Sequence, residues 1–186
     1  MTIALNDLEI TGISNAIYNP ENYSLPSFRS ILKSDMKRDL PKYISDYANK
    51  DIQFYNVTDI VEFNNKDTLT HAPYGQYIFN EIKEDKVSDS ELEQMKIKTK
   101  SQATNYLNKI MTINDFDIFI SVDNSMAGIA AAAHFPALTI PMGYRSDGQP
   151  SNITFIAKSK NEQLLYNIAY RYEKQSKRRV APKKYN

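Results

Sequence analysis

Ser121, Asp123 and Ser125 alternate at the end of a short apolar run, Asp117-Ile118-Phe119-Ile120-Ser121-Val122, and His134 follows nine residues after Ser125. A serine paired with a histidine is the usual nucleophile of acyl transfer, and a nearby carboxylate can orient the base. Nothing in the local sequence activates either serine. The same residues serve as punctuation, with a strand ending and Asn124 or Ser125 capping the next helix. His134, set between an alanine-rich segment and Phe135-Pro136, reads as a packed or capping group. His71, on a loop before Pro73, is a weaker candidate still. The remaining carboxylates are scattered, and none forms a pair that stands out for acid–base work. Zero Cys and two His rule out thiolate metal sites and leave little for a histidine-built one. Five Gly spell no phosphate-binding loop, so neither metal nor cofactor is expected.

Open α/β sheets bind ligands in the crevice outside their strand ends, which makes the elements around Ser121–Ser125 the ones to place. Asp117–Val122 predicts a buried strand and Met126–Ala133 a helix. Ala137–Pro141 predicts a second buried strand and Asn152–Ala157 a third, joined to the second by a hairpin-like turn through Gly143, Asp147-Gly148 and Pro150. Ser159 and Glu162 have capping-box spacing ahead of Leu164, Leu165, Ile168, Ala169 and Tyr172. Upstream, Ser88 and Glu91 start the firmest helix, with Leu92, Met95, Ala103, Tyr106, Leu107, Ile110 and Met111 on one face to about Thr112. Gln76–Glu84 is helical, His71–Gly75 is loop, and Thr58 is the N-cap of a helix over Asp59–Asn65 that buries Ile60, Val61 and Phe63. Ser27–Leu40 predicts a helix with Ile31, Leu32, Met36 and Leu40 inward, which Pro41 kinks or restarts before Tyr43, Ile44 and Tyr47. Glu9–Tyr18 predicts a strand closed by a turn at Asn19–Asn22. The fold class is therefore α/β, a mixed β-sheet flanked by helices.

The 186 residues are expected to form a single domain, 1–186, with an irregular entry segment at 1–34 and a basic tail at 174–186. Six of the 23 basic side chains fall in the last 13 residues with no acid among them. The preceding 173 residues thus carry 17 basic against 22 acidic side chains, a net −5. Such a tail suits nucleic acid or an anionic membrane, but it also continues a helix whose dipole favours cations at its C-terminal end. The second reading is adopted, with no nucleic-acid and no membrane partner. No apolar run approaches the ~18–20 residues of a membrane span. The N-terminal residues lack the basic and apolar regions of a secretory signal, and a cytoplasmic location is expected.

The segment Ala133-His134-Phe135-Pro136-Ala137-Leu138-Thr139-Ile140-Pro141-Met142-Gly143-Tyr144 adds a further signal. With Asp147-Gly148-Gln149-Pro150, Ile153-Thr154-Phe155-Ile156 and the closing Leu164-Leu165, Ala169-Tyr170, Glu173 and Lys177, it resembles the C-terminal end of the amidase signature family. Lys37-Arg38-Asp39-Leu40 with Tyr43 is similar to a helix of that family. Thr58–Asn64 resembles its "AFN" helix, Tyr74-Gly75-Gln76 its "Phe-Gly-Gln" loop, and Asp117–Ile120 the strand before its alanine-rich helix. The likeness runs colinearly over about residues 35–180.

This resemblance implies a fold like the C-terminal part of the amidase signature fold and kinship with serine amidohydrolases, which cleave carbon–nitrogen bonds through a Ser–cis-Ser–Lys triad. Their lysine and both serines lie in the N-terminal part, the serines within a glycine- and serine-rich signature, whereas this sequence has no Ser-Ser pair and no adjacent glycines. No catalytic residue is therefore expected here. By the same analogy Asp123, Asn124, Ser125 and Met126 would face the substrate cleft. The expected function is that of a C-terminal amidase fragment, inactive alone, with an N-terminal amidase polypeptide or a second copy of itself as partner. A non-catalytic binding or assembly module is the alternative. The resemblance has departures: the family usually has Gly at the positions of His134 and Asn152, and Pro-Thr where this chain has Val122-Asp123.

Overall fold

Residues 28–47 form the first described helix of the computed structural model, which describes Leu25, residues 27–113 and residues 115–181. The strand expected at Glu9–Tyr18, its closing turn and the last five residues of the basic tail lie outside the described residues. Packing divides the chain into two units, with a boundary between Lys98 and Thr99. That boundary falls inside the longest helix.

The unit of residues 26–98 is helical. Helix α1 (Phe28–Tyr47) runs through Pro41 as one continuous helix, so the helix does not restart there, and it makes residues 28–34 of the expected irregular entry segment helical. Proline removes one N–H from a helix, and its ring crowds the preceding turn. Here the second half of the helix still closes, with Ala48 N–H donating to the Ile44 carbonyl at 3.0 Å. The inward face also differs from expectation. Ile31 and Ser34 are buried and Leu40 is half-buried, whereas Leu32 and Met36 are exposed.

The polar face of α1 holds the following segments. Lys37 Nζ donates to the carbonyls of Lys83 and Asp85 at 2.8 and 2.6 Å. Ser34 Oγ donates to Asp85 Oδ2 at 2.8 Å, and Arg38 reaches Asp89 Oδ1 and the Val87 carbonyl at 2.8 and 2.7 Å. Lys37 thus supplies donors to carbonyls at the C-terminal end of a helix, which lack partners within it. That helix is α4 (Tyr77–Lys83).

Helix α2 (Val57–Lys66) is capped by Asn56 rather than Thr58. Asn56 Oδ1 accepts from Thr58 N–H at 2.7 Å and Asp59 N–H at 3.2 Å, and Asp59 returns the bond to Asn56 N–H at 3.1 Å. This box satisfies donors at both positions, which a cap at Thr58 would not. Val57, Val61 and Ile82 form the buried cluster of this unit, with Leu40 and Phe79 packed against it, while Phe63 is 39% exposed and lies outside the cluster. A four-residue helix, α3 (Thr68–His71), precedes the 72–75 loop. Helix α5 (Asp89–Ile113) starts at the expected Ser88/Glu91 box, with Ser88 N–H to Glu91 Oε2 at 2.9 Å and Glu91 N–H to Ser88 Oγ at 3.3 Å.

The unit of residues 99–186 contains the sheet. After Leu107 and Met111 of α5, both fully buried, come β1 (Ile118–Val122), α6 (Ala127–Ala133), β2 (Ala137–Tyr144), β3 (Pro150–Ala157) and α7 (Glu162–Ser176). The α/β class holds. The three described strands pair in the order β1-β3-β2, antiparallel throughout, so the parallel pairing of a mixed sheet does not occur among the described residues. Central β3 is almost entirely buried. β2, expected to be buried, alternates instead: Leu138, Ile140 and Met142 face the core while Ala137 and Thr139 are exposed. Its place at the edge of the described strands fits this pattern and tolerates Pro141, which has no N–H for the ladder. A register shift between Pro141 and Gly143 bends the strand, and Gly143 takes φ +133 there.

One sheet face packs on α7. Ile153, Phe155 and Ala157 meet Leu165 and Tyr172, with Ile118, Ile120 and Ile168 around them, and the Phe155 and Tyr172 rings meet edge to face at 6.0 Å. The Ser159/Glu162 capping box does not form. The helix begins at Glu162 with Asn161 as N-cap, leaving Ser159 two residues too early for the role.

Candidate functional site

The residues between β1 and α6 form a tight turn, Asp123–Met126, held from several sides. Asp123 takes the left-handed conformation, φ +52, which a short polar side chain tolerates better than most. Its backbone N–H donates to the Asn152 carbonyl at 2.8 Å, and Asn152 N–H returns a bond to Asp123 Oδ1 at 2.8 Å. Ser151 Oγ donates to the same oxygen at 3.1 Å, and Arg145 donates to Oδ2. These donors, the Asn152 N–H first, hold the Asp123 carboxyl below the ordinary carboxylate range. Asp123 is thereby an anionic clamp joining the end of β1 to the β2–β3 hairpin. Its lone pairs are directed at structural donors rather than at a proton to be abstracted.

The turn's backbone is held by hydroxyls. Thr154 Oγ1 donates to the Asp123 carbonyl at 2.5 Å and lies 2.8 Å from Thr139 Oγ1. A hydroxyl has one proton, so Thr139 is the donor in the second contact. The register places Ser121, Thr154 and Thr139 in one row across β1, β3 and β2. Ser121 is buried, and among the described residues its Oγ has no hydrogen-bond partner.

The other expected site residues are placed as follows. Asn124 and Ser125 are exposed. The Asn124 carbonyl accepts from Ala127 N–H at 2.9 Å, and Ser125 Oγ donates to the Val122 carbonyl at 3.0 Å. Met126 is buried at 1% exposure and anchors the turn from below. His134 is exposed and ends α6. At φ +56 its N–H donates to the Ala131 carbonyl at 3.1 Å, and Phe135 N–H donates to Ala130 at 2.9 Å. That is the two-bond helix ending in which glycine is favoured and His is among the better-tolerated alternatives. Among the described residues no hydrogen bond joins Ser121 or Ser125 to His134, and the capping reading of this histidine holds. Asn152 lies in β3 without a positive φ, so the strand makes no demand for glycine there.

Sequence reasoning did not single out Arg145 or Ser151. The hairpin turn that brings them in was legible: Gly148 takes φ +84, and Arg145 N–H reaches the Gln149 carbonyl at 2.8 Å.

A second polar cluster joins two of the segments matched above. Asn64 Nδ2 donates to Gln76 Oε1 at 3.0 Å, and Gln76 Nε2 donates to Asn65 Oδ1 at 2.6 Å. The His71 ring stacks on Phe63 at 4.2 Å between centroids, its Nδ1 3.2 Å from the Phe63 carbonyl oxygen. Gly75, at φ +80, lets the loop turn back toward α2. Among the described residues no group of three His, Cys, Asp or Glu side chains could hold a metal ion, and no helix is long and apolar enough to cross a membrane.

No protein-family model matches the chain. The chain is similar to a probable amidase from Arabidopsis thaliana, 21% identical over 154 residues, which cover 82% of this chain and 30% of that protein. Its fold is similar to that of an amidase family protein from Bacillus anthracis, with a TM-score of 0.79 and 25% identity over 97% of this chain and 36% of the other. A peptide amidase from Stenotrophomonas maltophilia shares the fold at a TM-score of 0.71 and 20% identity, covering 85% of this chain and 35% of that enzyme. The chain spans about a third of the length of these relatives. The resemblance to the amidase signature family, confined to part of that family's length, is borne out.

Proposed function

We propose, from this kinship with amidases over about a third of their length, that the chain is the C-terminal portion of an amidase and acts only with a polypeptide supplying the rest. The observation that carries the reading is the lopsided coverage: 97% of this chain aligns with 36% of the Bacillus anthracis protein. An acyl-transfer enzyme needs a nucleophile, an activating base and oxyanion donors in mutual geometry. This sequence has no Ser-Ser pair and no adjacent glycines from which the family's signature could be built. Among the described residues the serines nearest the strand end have no activating partner. Ser125 donates to a backbone carbonyl, and Ser121 is buried without one.

In this reading Asp123, Asn124, Ser125 and Met126 form one wall of the substrate cleft. Asn124 and Ser125 present polar groups, while Asp123 and Met126 hold the turn that presents them. The test is amide hydrolysis by the chain alone and after mixing with the missing portion of an amidase. Activity of the mixture only, weakened by Asn124→Ala, supports the reading. Hydrolysis by the lone chain that Ser125→Ala abolishes contradicts it.

A further inference from the structure

We infer that an apolar stripe on α1 is the face against which the missing portion of the amidase docks, an inference that rests on the reading just given. Leu32, Met36, Tyr43 and Tyr47 are spaced by 4, 7 and 4 residues. On an ideal helix of 3.6 residues per turn they fall within about 60° of arc. All four are exposed, at 55%, 37%, 62% and 76%.

The stripe is not the main face by which the helix is held in its own unit. That task falls to Ile31, Ser34 and Leu40 and to the bonds of Lys37 and Arg38 described above. The stripe is also partly organised in advance, since the Tyr43 and Tyr47 rings lie 5.5 Å apart between centroids. Asp39 and Asp46 run along one edge, Asp46 paired with Lys42, and give the stripe a polar rim. An apolar strip at helical spacing with a charged border is the pattern by which helices dock into grooves.

The relatives indicate the occupant. About two thirds of the Bacillus anthracis fold has no counterpart in this chain, and that portion must cover part of the surface this chain leaves open. A second copy of the chain is the competing occupant.

The experiment measures, by calorimetry, binding of the full chain to a polypeptide carrying the portion of the Bacillus anthracis protein without a counterpart here. Leu32→Glu and Tyr47→Glu change exposed side chains and should leave the unfolding midpoint unchanged while weakening binding at least tenfold each. Leu69→Glu, at an exposed apolar residue off the stripe, should bind like the unaltered chain. Equal affinity for all variants overturns the stripe and leaves the parent reading standing, as does an equal loss in Leu69→Glu. A homodimer in light scattering that Leu32→Glu dissociates assigns the stripe to a second copy and overturns the inference. No binding by the unaltered chain contradicts the parent reading and the stripe together.

Discussion

Asp123 accepts hydrogen bonds on both carboxylate oxygens, and this use of the group sets its pH behaviour. Because its folded-state pKa is depressed, the folded chain binds fewer protons than the unfolded one just below the ordinary carboxylate range. Its contribution is complete above roughly pH 4 and is lost as pH falls through the folded value. Acid titration of unfolding should therefore show Asp123→Asn less stable at neutral pH, with a gap to the unaltered chain that narrows below pH 4. A gap that persists at low pH would mean the carboxylate charge is not what matters. Two positive-φ positions make a paired prediction at the same scale. Gly75→Ala places a Cβ in open space but at φ +80, so it should cost about 1 kcal/mol through backbone strain alone. His134→Gly relieves the same strain at φ +56 and should stabilise by about 0.5–1 kcal/mol, both read from denaturant midpoints.

At the scale of elements, the structure follows the sequence where local signals are redundant. Helix α5 had a capping box at one end and a 3.6-residue apolar repeat along its length, and it forms over Asp89–Ile113. Thr58 and Ser159 were misread because Ser and Thr near a helix start compete with neighbours for the cap. Asn56 prevails through its reciprocal box with Asp59, whereas α7 starts at Glu162 after Asn161, whose side chain makes no capping bond. Asn56→Ala should accordingly cost about 1 kcal/mol in thermal or denaturant unfolding, whereas Thr58→Ala should cost less. Leu32 and Met36 were read as inward because they share the repeat of α1. Periodicity identifies an apolar face, not whether a partner covers it. The candidate turn was legible as a strand end with alternating polar groups. Arg145 and Ser151 were not, since their approach depends on the pairing of β3 with both β1 and β2. That pairing also buries Phe155 completely, and Phe155→Ala should cost about 3–5 kcal/mol.

At the scale of the whole molecule, the apolar exposure and the coverage of relatives tell one story. The chain carries a buried sheet core and a helical unit with its own cluster, yet it spans 36% of the Bacillus anthracis protein and 30% of the Arabidopsis thaliana one. Three of the five glycines take positive φ, Gly75 and Gly148 in turns and Gly143 at the register shift of β2. The measurement that bears most directly on this claim is amide hydrolysis assayed with the chain alone, with the missing amidase portion alone, and with the two mixed. The account predicts activity in the mixture only, whereas hydrolysis by the lone chain would contradict it.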